Sequence, residues 1–189
     1  MGKRTSYAKH IRDYYATPPD AIKPLVPFIK GMRYAEPCVG GGHLVQGINL
    51  LTFRLKDRPV CVAASDLSPD WENLALRASH LDVKEKAVQA LTAQDVAGAD
   101  VIVTNPPYTW NVLSALIERC VTLKPTWLLL PSDMACNVRF APYMEMCSDV
   151  VPIGRVSWMG NAQSGMENSS WYCFDASWTE GHARLHPRR

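Results

Sequence analysis

Val101-Ile102-Val103-Thr104 are four β-branched residues in a row, and they run straight into Asn105-Pro106-Pro107-Tyr108. Such a run reads as a strand buried on both faces, as in a parallel sheet. Neither proline can donate to a ladder, so the strand stops there and leaves along a stiff path. An Asn and a Tyr are thereby fixed at the carboxyl end of a central strand, where open α/β sheets place their ligands. An amide oxygen and a main-chain carbonyl can accept both hydrogens of a planar amino group, while the ring beside them stacks on the flat system bearing it. Two fixed acceptors favour the pyramidal, more nucleophilic nitrogen that develops as such an amine attacks a methyl group.

The rest of the chain alternates in the same style. Apolar stretches predict strands near 33–36, 60–65, 86–91, 100–104, 126–131, 150–157 and 170–176, and helices near 20–30, 43–55, 68–80, 110–123 and 133–147. Ser68-Pro69-Asp70 reads as a helix start, with a cap residue and a proline in the first turn. Alternating strands and helices imply a mostly parallel, doubly wound α/β sheet of seven strands, covered on both faces. The later segments turn aromatic and polar by turns, which predicts an antiparallel strand at the sheet edge. With no repeat, linker or low-complexity tract, residues 1–189 read as one domain.

Upstream, a strand runs through Tyr34-Ala35-Glu36-Pro37-Cys38-Val39 into Gly40-Gly41-Gly42 and then a helix carrying Leu44, Val45, Ile48, Leu51 and Leu55. Glycines let backbone amides approach a ligand and open a helix N-terminus toward it. Glu36 would repel a pyrophosphate but suits a cationic ligand group. Twenty-four residues beyond Gly42, a second strand ends at Ser65-Asp66, placed to accept hydrogen bonds from ribose hydroxyls.

These motifs, Glu-Pro-x-x-Gly-x-Gly followed by Asn-Pro-Pro-Tyr, resemble the S-adenosylmethionine-dependent amino-methyltransferases, the DNA adenine-N6 group most closely. Tyr14-Tyr15-Ala16-Thr17-Pro18-Pro19 is similar to the Tyr-x-Thr-Pro segment that precedes the glycine loop in that group. The resemblance covers most of residues 14 to 131 and implies a Rossmann-like class I methyltransferase fold. It implies a catalytic Asn105, Pro106, Pro107 and Tyr108, with Asn105 and the Pro106 carbonyl accepting the amine hydrogens and Tyr108 stacking on the base. The same carry-over puts Tyr15, Thr17 and Pro18 at the methionine end of the cofactor, with Glu36, Pro37, Gly40 and Gly42 in the loop. Asp66 and Leu67 fall at the ribose, Asp95 at the adenine, and Asn105 borders the cofactor as well. Only about 80 residues follow Tyr108, so no separate target-recognition region is expected. The polar run 161–170, with Ser164 and Asn168, is the expected target-side loop. The reading implied is methyl transfer to adenine-N6 in DNA, with short or relaxed specificity. Cytosine-N4, adenine in RNA and protein glutamine are rival acceptors, and a non-catalytic cofactor- or nucleic-acid-binding protein is a rival from another class. Buried Asn105 requires a flipped base or a single strand. Compactness fits a phage or mobile-element methylase related to restriction-modification.

Charge and cysteine usage narrow the setting. Lys3, Arg4, Lys9 and Arg12 lie at one end and Arg184, Arg188 and Arg189 at the other, with no acid among residues 1–12 or 182–189. The middle keeps 13 basic against 18 acidic residues, a balance of −5, and basic ends of this kind suit contact with a phosphate backbone or simply keep the termini soluble. Cys38, Cys61, Cys120, Cys136, Cys147 and Cys173 form no C-x-x-C pair, and the five histidines show no ligand spacing. No metal site is expected, and reduced thiols in a bacterial or phage-infected cytoplasm are. No apolar run is long enough for a membrane span, and none follows Met1 as a signal region.

Overall fold

The computed structural model describes residues 16–158, 165 and 167–188, so Tyr15 and Ser164 lie outside the described residues. Its centre is the strand anticipated above, β4 (Val101–Thr104), buried at all four positions. Before it come β1 (Arg33–Glu36), β2 (Val60–Asp66) and β3 (Val83–Glu85). After it come β5 (Thr126–Pro131), β6 (Cys147–Arg155), β7 (Asn168–Phe174) and β8 (Arg184–Leu185). Among the described residues the sheet has eight strands, in the order β3-β2-β1-β4-β5-β7-β6-β8. β7 alone runs antiparallel, pairing with both β5 and β6. It is therefore an interior strand and not an edge strand, which its burial at six of seven positions explains. The eighth strand, only two residues long, covers the outer side of β6.

Side-chain alternation along β4 sends Val101 and Val103 to one face and Ile102 to the other. On the first face lie α1 (Pro19–Ile22), α2 (Val26–Ile29) and α3 (His43–Thr52), whose Leu44, Val45 and Ile48 meet Trp127, Leu129 and Trp171. The buried Trp171 indole donates to the Ala21 carbonyl at 2.7 Å, tying α1 to β7. On the second face α5 (Trp110–Val121) presents Leu113, Leu116, Ile117 and Cys120 to Leu128, Leu130, Tyr172 and Phe174.

Several elements differ from the sequence expectation, each for a local reason. The helix over 20–30 breaks into α1 and α2 at Pro24, which lacks the N–H a continuous helix needs. The helix over 68–80 shrinks to α4 (Leu74–Ser79), capped by Asn73 Oδ1 accepting from the Ala75 amide at 3.0 Å. The stretch 133–147 is two 3-10 turns and α6 (Ala141–Met144), with Pro142 in the first turn of α6. The strand placed at 86–91 lies three residues earlier, as β3. Val88 and Leu91 instead point from a 3-10 turn into the second core.

Arg184 is held by an acid and is not a free cation. Its Nη2 lies 3.0 Å from Asp149 Oδ2 on β6, and His186 Nε2 lies 2.7 Å from Asp149 Oδ1. The His186 amide also donates to the Val150 carbonyl, and its ring meets Phe28 edge-on. Burial pushes the Asp149 carboxyl up, but hydrogen bonds from His186 and Arg184 outweigh it and hold the group below its ordinary value. An acid with a depressed folded value adds stability above its unfolded value and loses it as pH falls through the folded one. Asp149→Asn is therefore expected to unfold at lower urea than the parent at neutral pH. The gap should close as pH drops below about 4, and urea midpoints measured across pH check it.

Candidate active site

The parallel strands deliver Glu36, Asp66, Glu85 and Asn105 to one edge of the sheet, and there a cavity of about 880 Å³ opens. That volume is in the range of small-molecule and cofactor sites. The loop after β1 forms its floor. Gly40 has φ +48°, and its amide donates to Asp66 Oδ2 at 2.9 Å. The other oxygen of Asp66 accepts from the Ser68 amide at 2.8 Å. One carboxylate thus ties the loop after β1 to the loop after β2 and keeps lone pairs to spare. Gly42 does something different. At φ +80° it caps α3, and a Cβ there would sit 2.7 Å from the Leu76 Cα. Its glycine is demanded by contact with α4, and it is not part of the cavity wall.

Of the other residues singled out in the sequence, Thr17, Glu36, Pro37, Leu67, Asn105 and Pro107 line the cavity; Pro18, Pro106 and Tyr108 do not. Thr17 and Asn105 meet directly: Asn105 Nδ2 donates to Thr17 Oγ1 at 3.1 Å. The Tyr108 hydroxyl donates to Asn105 Oδ1 at 3.1 Å, and its ring leans on the second core. Asn168 opens β7 on the same sheet edge, exposed, in register with Arg155.

Asp95 sits elsewhere. It borders a separate hollow of about 210 Å³, and its carboxylate is consumed by Lys86 at 2.7 Å, Lys84 at 3.0 Å and the amide and hydroxyl of Thr92. The Lys86 hydrogen bond leads in holding it far below the ordinary carboxylate range. Because β3 ends at Glu85 and not near residue 91, the residues that follow a strand into the cavity are Glu85, Ala87, Val88 and Gln89. Sequence reasoning missed them, since Val83-Lys84-Glu85 offers a single buried residue as its signal.

Glu36 is the electrostatic anomaly of the site. It is 2% exposed, and among the described residues its Oε2 meets no hydrogen-bond partner. Burial, and then the negative charge of Asp66, push its carboxyl well above the ordinary value. A buried acid of this kind lacks a cation. Burial pushes the thiol of Cys38, also on the cavity wall, well above its ordinary value, which favours the neutral form. Among the described residues no cluster of His, Cys, Asp and Glu has the arrangement of a metal site, and no helix is long and apolar enough to cross a membrane.

No protein-family model matches the sequence, and neither does any curated protein. Solved structures do resemble it. The M protein of the type I restriction enzyme EcoKI superposes with a TM-score of 0.55 at 11% identity, over 85% of this chain and 44% of that one. The methyltransferase subunit of a type I restriction-modification system from Streptococcus thermophilus gives 0.59 at 11% identity, over 90% and 47%. A predicted O-methyltransferase from Agrobacterium tumefaciens gives 0.59 at 12% identity, over 90% and 85%. The chain thus spans about half the length of the two restriction-system subunits. The fold is that of the class I S-adenosylmethionine-dependent methyltransferases.

The lone carboxyl of Glu36 makes a prediction about the ligand-free protein. An acid whose folded value is raised adds stability below its unfolded value and loses it as pH rises toward the folded one. Glu36→Gln removes that loss, so its advantage over the parent in thermal unfolding should grow as pH rises above the ordinary carboxylate range. A pH-independent difference would contradict the assignment.

Proposed function

We propose that the chain transfers a methyl group from S-adenosylmethionine to the N6 amine of adenine in DNA. The observation that carries this reading is the meeting, at one sheet edge, of a cation-seeking buried carboxylate and a rigid amide acceptor. The cofactor supplies an electrophilic methyl on sulfur. Glu36, ionised against the ligand's ammonium, would anchor the amino-acid end, and Asp66 would accept from the ribose hydroxyls. Leu67, 70% exposed at the rim, and the buried Val88 are apolar surfaces for the adenine of the cofactor. Asn105 Oδ1 and the Pro106 carbonyl accept the two amine hydrogens of the target and draw its lone pair toward the methyl. Transfer is direct, without a covalent enzyme intermediate.

Two arginines support a polyanionic acceptor. Arg155 ends β6, and the Arg188 guanidinium lies over Gly154, where a Cβ would sit 2.7 Å from its Cζ. Both are exposed on the sheet edge that holds the cavity, and neither forms an ion pair among the described residues. β6 stands three strands from β4, about 14 Å at the usual spacing, which is within the width of a duplex.

Asn105→Ala is expected to bind S-adenosylmethionine normally by calorimetry while methyl transfer falls by a factor of roughly 100 or more. Parallel assays with labelled cofactor on DNA, RNA and protein test the acceptor, and transfer to RNA or protein alone would refute adenine in DNA. Arg155→Ala and Arg188→Ala should each lower the log–log salt slope of duplex binding by about 0.9 while leaving cofactor affinity unchanged. An unchanged slope in both would remove this edge from the DNA surface.

A further inference from the structure

The first face of the sheet carries two exposed apolar patches, one toward each edge. α3 and α4 lie side by side there and touch where Gly42 meets Leu76. Because β1 and β2 are parallel, the chain that leaves β1 at the site edge returns along α3 to the opposite edge before β2 begins. The far end of α3, about 15 Å from the Gly42 turn for ten helical residues, exposes Leu50 by 64% and Phe53 by 63%, with Leu55 beside them. The chain then leaves β2 at the site edge, where Trp71 and Leu74 lead into α4 with 52% and 76% exposure. Large apolar side chains exposed in groups mark surfaces that meet another molecule.

The two patches have opposite charge. Residues 53–60 hold Arg54, Lys56 and Arg58 against Asp57, a balance of +2, and residues 66–79 hold Asp66, Asp70 and Glu72 against Arg77, a balance of −2. Arg54, Lys56, Arg58 and Glu72 form no ion pair among the described residues. The Arg54 guanidinium lies 5.1 Å from the centre of the Phe53 ring, so charge and apolar surface are mixed within the basic patch. A chain with two complementary patches on one face is complementary to itself. A two-fold axis midway between them, perpendicular to the line joining them, lays each on the other patch of a second copy. We infer that the outer face of α3 and α4 is a dimer interface, in which Leu50 and Phe53 of one copy pack on Trp71 and Leu74 of the other, twice over. Apolar burial supplies the affinity and the charges fix the direction, since like patches would set +2 against +2. The contact is isologous, so it closes on itself and stops at two copies. α3 and α4 belong to the β1–β3 side of the strand order, and β6 and β8, which carry Arg155 and Arg188, stand at its other end.

Sedimentation equilibrium of the full chain should show a reversible monomer–dimer equilibrium that weakens as salt rises from about 0.05 M to about 0.5 M. Phe53→Ser and Leu74→Ser should each raise the dimer dissociation constant about tenfold or more, because each removes apolar surface at two symmetry-related places. Charge reversal gives the sharper result. Arg54→Glu with Lys56→Glu makes the first patch negative, and Asp70→Asn with Glu72→Lys makes the second positive, so neither double variant should pair with itself. Mixed in equal amounts, the two should form a dimer within about tenfold of the parent's affinity, since both contacts are again between opposite charges. Circular dichroism shows whether each variant folds, and if a double variant does not, the two serine variants decide. A parent that stays monomeric at every concentration would overturn the inference. So would a mixture of folded double variants that fails to pair, or a dimer that neither serine variant weakens. A monomeric parent that binds phosphatidylserine vesicles, and loses them in Phe53→Ser, would overturn it in favour of a membrane surface.

Discussion

Two carboxylates lie side by side at the ends of β1 and β2, and the geometry of the site follows from how their charge is accommodated. Two like charges in a largely buried place repel strongly, so they cannot share one solution. Asp66 is satisfied by the Gly40 and Ser68 amides, which fix the two loops against each other. Glu36 is left with a raised value and an orphaned oxygen. The pair thus divides: Asp66 braces the two loops, and Glu36 stays buried with one oxygen unpartnered among the described residues.

Packing elsewhere in the fold holds the loops in this arrangement. The Gly42 turn packs against α4 with no room for a methyl group, and α3 packs on the sheet through Leu44, Val45 and Ile48. Trp171 fastens α1 to β7, and α1 follows directly on Thr17 and Pro18. The segment that supplies Thr17 is consequently anchored from two directions. That anchoring keeps its hydroxyl within 3.1 Å of Asn105 while the residues themselves are far apart in the chain.

How much of this is readable from sequence depends on how local the cause is. β4 and its exit through Pro106 and Pro107 are legible because burial on both faces and loss of a donor are properties of the residues themselves. Asp66 is legible as the end of a strong strand. β3 is not: with one buried residue in three it has no periodic signal, and Val88 and Leu91 imitate the strand it should have been. Asp95 was drawn toward the site by that displacement. β8 owes its existence to Asp149 on another strand, and the meeting of Thr17 with Asn105 is a product of tertiary structure alone. Neither leaves a mark on its own stretch of chain.

The reversal of one strand determines what else can reach Asn105. In a wholly parallel sheet each strand contributes only the loop at its carboxyl end to the site edge. β7 is antiparallel and interior, so its amino end, at Asn168, joins the carboxyl ends of β5 and β6 on that edge. Beside Asn105 the chain therefore gathers the turns that follow Pro131, the carboxyl end of β6 at Arg155 and the start of β7 within three strand spacings. β8 runs parallel to β6, held by the Asp149 pairs with Arg184 and His186, and brings Arg188 over Gly154 at the outer end of that edge. One half of the cavity edge is built from β1, β2 and β3, and the other half from β5, β7, β6 and β8. Asn105 stands between them, at the point where the strand order turns from β1 to β4 and the loops on either side part to leave a crevice.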